Sequence, residues 1–305
     1  MPAADSAVSA QASFSPESIR CVGVLGARHK RGIARAVREV TEWFQGRGIR
    51  VILSAEEAGS FSLPALAADL KQMAESADLL LSMGGDGTLL KTARLGAPRG
   101  KPVLGINLGG FGFLAAIPRP RMLDSLAEVM AGRFRLQTRM MLAASVVRDS
   151  QQVASLLALN DMVVGKGAFS RLFRLKTRIS GEPISDFPAD GIIVSTATGS
   201  TGYSLSAGGP VVDPEVRVLI VTPICAHALS ARTLVVPAAQ VIEMALPDLR
   251  GEEVVLTADG QEGFSLRAGD RVEVREAPFS AKLLTLADAS FYAKLRSKLG
   301  WGGQR

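Results

Sequence analysis

The sequence predicts an N-terminal α/β domain with a parallel sheet, followed by a C-terminal β-rich, sandwich-like domain. In the first half of the chain, short apolar runs alternate with segments of helical period, which is typical of a parallel sheet covered by helices. In the second half, short apolar or alternating runs are separated by Gly, Pro and Asp, which indicates β structure. The length of 305 residues suits two domains.

Four segments follow from this change of pattern near residue 136. They are a disordered tail at 1–18, an α/β domain at 19–135, a β-rich domain at 136–287 and a terminal helix within 288–305. The terminal helix is expected to pack back on the first domain, because Phe291, Leu295 and Leu299 fall on one of its faces.

The first domain is predicted to contain four strands and the helices that connect them. The predicted strands are 19–25, 51–53, 78–83 and 102–107. Helical spacing marks 33–44, a segment that begins at Pro64, a segment that opens at Thr88, and 118–133. Ligands of such sheets bind beyond the carboxyl ends of the strands, so the loops at that edge are candidate sites.

The second domain is predicted to consist mainly of strands. Apolar or alternating runs place them at 140–147, 162–164, 172–179, 192–194, 218–221, 234–236, 241–246, 254–257 and 271–275. Polar islands interrupt these runs and are the candidate sites of this half.

Composition limits the class of partner. The net charge is +6, but Lys and Arg are scattered and aromatic residues make up only 5%, which favours a small anionic substrate over a nucleic acid. Cys21 and Cys225 lack the spacing of a metal site or disulfide framework, so we expect a reducing cytoplasm. We also expect no membrane insertion, since no apolar run has the length of a membrane span.

One stretch places three glycines around a single carboxylate, Gly84-Gly85-Asp86-Gly87, directly after the apolar run 78–83. The pattern predicts a buried strand, a tight turn and then a helix, whose first N–H groups attract anionic oxygens such as those of phosphate. Asp86 would itself repel phosphate, which leaves it to hold a metal or to accept a hydroxyl proton. A simple helix N-cap is an equally good interpretation of Asp86 from these residues alone.

A second glycine-rich loop, 108–114, follows the next predicted strand and is expected at the same sheet edge. Its glycines are explained equally well by a tight turn and by close contact with a ligand.

Three polar islands occur in the β-rich half. Asn160-Asp161 is interpreted first as an Asx-type turn before a strand. The second island, 189–210, holds four Ser, three Thr and two Gly between Ser195 and Ser206, a density that favours a ligand site. The third island, 257–261, is predicted to be a hairpin turn.

Two other kinds of site are disfavoured. Ser200, His227 and Asp259 supply the residue types of a catalytic triad. A serine hydrolase is disfavoured because the sequence lacks a Gly-x-Ser-x-Gly motif after a predicted strand. A zinc site is less favoured still, because His29, His227 and the two cysteines are far apart in sequence.

The order and separation of these motifs resemble the NAD kinase family. The residues that carry the resemblance are Gly84 to Leu90, Asn160-Asp161, the island from Asp190 to Pro210, Thr222 to Cys225, and Asp259 to Gln261. The likeness spans roughly residues 20–300, and the second and third motifs are more selective than the first, which lipid kinases share. It implies an NAD kinase-like fold with NAD bound between the two domains, and a homo-oligomer, either a dimer or a tetramer.

The resemblance also implies roles for individual residues. Asp86 matches the catalytic proton acceptor, and Asn160 with Asp161 matches an Asn-Glu pair that holds adenosine, so Asp161 is one methylene shorter than the family residue. The other matched positions are Gly87 at the nucleotide, Lys91 and Arg171 at phosphates, Asp190, Thr201, Gly202, Tyr203, Ser204, Leu205 and Ser206 at the dinucleotide, and Gln261. Gly202 replaces the usual Ala, and Pro188, which stands where some members have Arg, is given no role.

The implied reaction transfers the γ-phosphoryl group of ATP to the 2′-hydroxyl of the adenosine ribose of NAD. A weakly nucleophilic hydroxyl needs a positioned base and cationic charge over the phosphates. Asp86 is expected to be the base, and a divalent metal ion, Mg²⁺, is expected to enter with ATP; we predict no protein metal site. Polyphosphate is an alternative donor, and a lipid kinase or a non-catalytic dinucleotide sensor is the alternative function.

Overall fold

A computed structural model of the protein describes residues 14–109, 112–114, 117–167, 173–225, 231–249, 252–286 and 290–300. The first thirteen residues of the predicted tail lie outside this part of the chain, as do Arg171 and His227. Residues 14–18 were predicted to belong to the disordered tail, but the Phe14 ring packs edge-on against Phe134 with centroids 5.5 Å apart.

The first domain is a parallel sheet with helices on both faces, as predicted. Its elements are β1 Cys21–Gly26, α1 Ile33–Gln45, β2 Arg50–Ser54, α2 Ala55–Ser60, β3 Ala67–Ala68, α3 Leu70–Ser76, β4 Leu79–Gly84, α4 Asp86–Gly96, β5 Pro102–Asn107, β6 Ile117–Pro118 and α5 Met122–Met130. The strand order is β5-β4-β1-β2-β3, and β6 pairs with β5. Helix α1 buries Val37, Val40 and Phe44 completely in the core of this domain.

The single helix predicted from Pro64 is wrong. A 3-10 turn, Pro64–Leu66, leads into the short strand β3, and α3 starts later, where the Asp69 side chain accepts a hydrogen bond from Gln72 N. Helix α2 was missed, although Ser54 caps it by accepting from Glu57 N. Capping residues decided these boundaries more than the apolar period did.

The second domain is a β sandwich with its own core. Its elements are β7 Arg135–Arg148, β8 Gln151–Ala158, β9 Asp161–Lys166, β10 Phe173–Ile179, β11 Glu182–Ala189, β12 Gly191–Thr196, α6 Tyr203–Ser206, β13 Val218–Ile224, β14 Leu234–Pro237, β15 Ile242–Ala245, β16 Val254–Ala258, β17 Glu262–Leu266 and β18 Arg271–Thr285. One sheet has the antiparallel order β14-β13-β12-β9-β16-β17. Its apolar side chains, such as Val164 and Val194, meet those of β7, β10, β15 and β18, such as Leu142 and Val274.

The last strand connects the two domains. The first part of β18 pairs with β15, and its end pairs in parallel with β5, Leu283 opposite Val103. The terminal helix α7, Phe291–Leu299, returns to the first domain, where Lys294 Nζ donates to Phe113 O at 3.0 Å. Because β18 pairs with strands of both domains, the sheet of the first domain continues into the second without a break in hydrogen bonding.

Among the described residues, no helix is long and apolar enough to cross a membrane.

Candidate functional site

Asp86 lies where β4 ends and α4 begins, as the sequence predicts. It is the first residue of the helix, and Gly85 is the N-cap. Its carboxylate accepts from Phe113 N at 2.7 Å and from Leu114 N at 3.1 Å. The N-cap interpretation of Asp86 is therefore wrong, because the carboxylate is oriented by the second glycine-rich loop.

Two glycines make this arrangement possible. A Cβ on Gly112 would lie 1.9 Å from Asp86 Oδ1, and a Cβ on Gly84 would lie 2.3 Å from Thr88 Oγ1. Neither position accepts a side chain without displacement, because real Cβ contacts shorter than 3.0 Å essentially do not occur. The loop after β5 therefore packs directly against the Asp86 carboxylate, and the turn after β4 packs tightly against helix α4.

A cleft of about 790 Å³ opens at the N-terminus of α4. It lies beyond the carboxyl ends of β1 and β4, where ligands of open α/β sheets bind. Its lining residues are Gly26, Ala27, Arg28, His29, Lys30, Glu57, Gly85, Gly87, Thr88, Lys91 and Gln261. Three Lys and Arg side chains line this space beside a helix N-terminus, which suits a polyphosphate; one of them, Arg28, also pairs with Glu56 at 2.6 Å.

Glu57 is the acidic member of this cleft. Its side chain accepts from Gly26 N and from Ser54 Oγ, both at 2.8 Å, and the residue is buried. Burial raises the pKa of Glu57, while these hydrogen bonds and the charge of Lys91 oppose the shift. The carboxylate therefore fixes the end of β1 and adjoins the basic side of the cleft.

Asn160 and Asp161 lie at the start of β9 and are held by Asp259 of the hairpin turn between β16 and β17. The Asp259 carboxylate accepts from Leu159 N, Asn160 N and Asp161 N, and Asp259 N donates to Asp161 O at 2.9 Å. The predicted hairpin is confirmed, with Asp259 at φ 51° and Gly260 at φ 63°. The Asx-turn interpretation of Asn160-Asp161 is incomplete, since a distant carboxylate satisfies this backbone.

Both side chains of the pair have properties of a binding site. Asn160 Oδ1 is buried and has no hydrogen-bond partner within the described part of the chain. Asp161 is only 5% exposed, and burial, with a smaller contribution from the negative charge of Asp259, raises its pKa to about 7. A buried acceptor without a donor is costly, so a ligand that donates hydrogen bonds to these residues would be stabilised.

The hydroxyl-rich island packs against this pair. Thr196 Oγ1 donates to Leu159 O at 2.7 Å, and a Cβ on Gly199 would lie 2.1 Å from Asn160 O. Gly202 is also adjacent, since its Cβ would lie 3.4 Å from Asn160 Nδ2 and 3.7 Å from Asp161 Oδ2. Much of the island therefore shapes the surroundings of Asn160 and Asp161.

A second cavity, of about 50 Å³, lies against the loop that holds Asp86. Phe113, Leu114, Thr201, Arg139 and Lys294 are among its lining residues. Arg139 is 7% exposed and uses Nη2 to bond Gln137, whereas its Nε and Nη1 have no partner in the described structure. Burial lowers the pKa of Arg139, opposed by the charges of Glu215 and Asp213, and burial also lowers that of Lys294, opposed by Asp86.

Several residues of the hydroxyl-rich island have local structural roles. Ser204 Oγ lies 3.0 Å from Thr222 Oγ1 in the interior, and Ser200 Oγ donates to Val212 O at 3.2 Å. Ser200 is buried and Asp259 pairs with Arg94, so neither residue is available to form a catalytic triad with a histidine. Leu205 and Ser206 complete the short helix α6, in which Tyr203 is 47% exposed.

The structure places several of the predicted residues on the large cleft, on the small cavity or around Asn160 and Asp161. Gly87, Lys91 and Gln261 line the large cleft, Thr201 lines the small cavity, and Gly202 adjoins Asn160 and Asp161. Asp190 does not join them within the chain. It precedes β12 and pairs with Lys166 at 2.8 Å, whereas residues 197–206 of the island follow the other end of that six-residue strand, about 20 Å away at roughly 3.3 Å per residue.

Sequence reasoning missed several cationic residues of the site. Arg28 and Lys30 come directly after β1, so the basic run at the carboxyl end of the first predicted strand was an available signal. The sequence around Arg94 and Arg139 did not indicate a role in the site, because a single Arg within a helix or strand is normally predicted to be a surface residue. Their burial becomes evident only from the tertiary structure.

The described residues contain no group of three or more His, Cys, Asp or Glu side chains placed to hold a metal ion. Mg²⁺ is commonly bound by one or two carboxylates together with substrate phosphates. Glu57, which lines the cleft, and Asp86, which lies between the lining residues Gly85 and Gly87, fit that mode of binding and do not form a separate protein cage.

The fold and site together define a two-domain protein with a basic cleft at a helix N-terminus and a second polar pocket from a β-rich domain. Family models match both halves: the ATP-NAD kinase N-terminal domain over residues 22–134 and the C-terminal domain over 159–286. The NAD kinase of Moorella thermoacetica is 43% identical over 93% of this chain and 90% of its own length. The chain therefore belongs to the ATP-NAD kinase family.

Solved structures agree with this assignment. Yeast NADH kinase, determined in complex with NADH, has a TM-score of 0.85 and 26% identity, covering 94% of this chain and 89% of its own. An NAD kinase from Archaeoglobus fulgidus, in complex with ATP, shares the fold, with a TM-score of 0.72, 23% identity, and coverage of 93% of this chain and 100% of its own. The predicted fold is confirmed, and the lipid kinase alternative is not favoured.

Proposed function

We propose that this protein is an NAD kinase in which Asp86 is the general base. The 2′-oxygen of the adenosine ribose attacks the γ-phosphorus of ATP, a new oxygen–phosphorus bond forms, and the bond to the β-phosphate oxygen breaks. Asp86 receives the hydroxyl proton, and the products are NADP and ADP. The observation that carries the proposal is the meeting of an oriented carboxylate, a basic cleft and a buried, unpartnered Asn160 amide oxygen.

The two sides of Asp86 suit the two substrates. On one side, Lys91, Arg28 and Lys30 would hold the phosphates of ATP over the N-terminus of α4. On the other, Asn160 and Asp161 would bind the adenosine of NAD, with Tyr203 exposed beside them for contact with a ring. The yeast relative, which was solved with NADH, supports a dinucleotide as the acceptor. Mg²⁺ bound with ATP would neutralise charge on the transferred phosphoryl group.

Asp190 and the free cysteines support two further parts of the proposal. Asp190 is matched to the dinucleotide by the family motif but lies a strand length from residues 197–206, so it would reach a bound NAD from a second copy of the chain. We therefore infer a homo-oligomer, to be tested by light scattering. Cys21 and Cys225 are unpaired, which supports a cytoplasmic location.

The proposal is tested by incubating the purified protein with Mg²⁺ and different donor and acceptor pairs. We expect NADP from NAD with ATP, and the same assay with polyphosphate and with NADH defines the donor and the acceptor. A diacylglycerol acceptor tests the lipid kinase alternative and is expected to give no product. NAD binding without phosphorylation by any donor would instead identify a dinucleotide sensor.

A further inference from the structure

The turn Asp259-Gly260-Gln261 makes contact with both ends of helix α4. Near the start of the helix, Gln261 Nε2 donates to Gly87 O at 2.7 Å, one residue after Asp86. Two turns later, Arg94 Nη1 contacts Asp259 Oδ2 at 2.6 Å, and Arg94 Nη2 donates to Gln261 Oε1 at 2.9 Å. The contacted positions span most of the helix, since Gly87 and Arg94 are seven residues apart, a rise of about 10.5 Å.

The same turn holds the other half of the proposed site. The carboxylate that pairs with Arg94 also accepts the backbone N–H groups of Leu159, Asn160 and Asp161. The side chain of Arg94 is 6% exposed and that of Asp259 is completely buried. Because solvent screens such a pair little and each bond has a fixed direction, the turn sets the position of both α4 and Asn160-Asp161.

We propose that Arg94, Asp259 and Gln261 form a positioning clamp that fixes Asp86 of the first domain relative to Asn160 and Asp161 of the second. The inference rests on the proposed function, because Asp86 and Asn160-Asp161 act together only if one holds the reacting hydroxyl and the other its ribose. None of the three residues needs to contact the reacting atoms. A displacement of about 1 Å at such a site costs on the order of 100-fold in rate, so a rigid connection between the domains has a direct kinetic value.

Arg94→Lys tests the clamp, since Lys keeps the charge but cannot make the planar fork that contacts Asp259 and Gln261 together. Arg148→Lys is the matched control. Arg148 contacts the fully buried Asp270 through Nε and Nη2, both at 2.7 Å, but this pair ties β7 to the turn before β18 and does not contact α4. Gln261→Met is a second test variant, chosen because Gln261 is exposed and its loss leaves no buried charge.

We expect the clamp variants, but not the control, to lose catalytic efficiency. Arg94→Lys should lower kcat/KM for NAD by about ten-fold or more with KM for ATP changed by less than about three-fold, whereas Arg148→Lys should alter neither, even where both lower Tm. Gln261→Met should lower kcat with Tm unchanged. In an Asp161→Ala background, Arg94→Lys should weaken NAD binding by a smaller factor than it does alone, because one of the residues that it positions is already gone.

Three outcomes would overturn the clamp: equal kinetic effects of Arg94→Lys and Arg148→Lys, additive losses with Asp161→Ala, or wild-type kcat in Gln261→Met. The two kinetic outcomes can be observed only with a wild type that makes NADP, whereas the additivity outcome is measured as NAD binding. A wild type that makes none would refute the proposed function itself, so the two failures are distinguishable. If Arg94→Lys does not fold, the Gln261→Met result decides.

Discussion

Substitution of Gly112 by Ala tests the contact between the second glycine-rich loop and Asp86. The added Cβ would lie 1.9 Å from Asp86 Oδ1 and 2.3 Å from Asp86 Cγ, whereas ordinary contacts begin at 3.4 Å. The loop and the carboxylate must therefore separate by about 1.5 Å. Such a displacement breaks the bonds from Phe113 N and Leu114 N that orient the carboxylate.

A misplacement of about 1 Å costs on the order of 100-fold in rate, so Gly112→Ala should lower kcat by about 100-fold. The assay is the initial rate of NADP formation at saturating NAD and ATP. Gly59→Ala is the control, because its Cβ would have no neighbour within 4 Å and Gly59 lies in α2, away from both glycine-rich loops. Wild-type kcat in Gly112→Ala would show that this loop does not lie on Asp86 during turnover, and would refute the reasoning.

Four further predictions concern the NAD side of the site. Burial raises the pKa of Asp161 to about 7, and a ribose hydroxyl needs an ionised acceptor. The affinity for NAD, measured by calorimetry, should therefore increase as pH rises from 6 to 8. Asp161→Asn should remove this pH dependence. The same raised pKa means that the contribution of Asp161 to folding stability, full below pH 3.8, is lost as pH rises through about 7, which chemical denaturation of the free protein should detect. Tyr203→Ala should weaken NAD binding by one to two decades and Tyr203→Phe by little, since base stacking contributes about 1–3 kcal/mol; equal losses would assign the contact to the hydroxyl. Gly202→Ala should tighten NAD binding modestly, because an Ala leaves the free loop fewer states to lose on binding. The φ of −95° is not in the left-handed region, but Gly199 O would lie 3.2 Å from the new Cβ and must move by a few tenths of an ångström; weaker binding would show that it cannot.

Local sequence patterns predicted the corner at Asp86 and the sheet around it. Glycines after an apolar run are sufficient to place Asp86 at the junction of β4 and α4, and parallel strands bring loop 108–114 to the same edge. The hairpin at Asp259 was likewise readable, because Asp-Gly supplies two residues that adopt positive φ. These features depend on neighbours in sequence.

Features that depend on distant partners could not be read in this way. The roles of Arg94 and Arg139 follow from burial against residues more than a hundred positions away or against the terminal helix. Strand β18 has a first half in the sandwich and an end beside β5, and its own residues do not indicate these two sets of partners. The pKa of Asp161 depends on its burial and on Asp259, which a linear pattern does not contain.

The measurement that tests the central claim most directly is the turnover and NAD affinity of Asp86→Asn. An amide keeps the shape of the side chain but removes the base, so kcat for NADP formation should fall by about two to four decades while the Kd for NAD changes by no more than a few-fold. Asp78→Asn is the matched control, since Asp78 also accepts two backbone N–H groups, from Arg20 and Cys21, but at the opposite end of β4. Turnover in Asp86→Asn equal to that of Asp78→Asn, or loss of NAD binding together with turnover, would contradict the assignment of Asp86 as the general base.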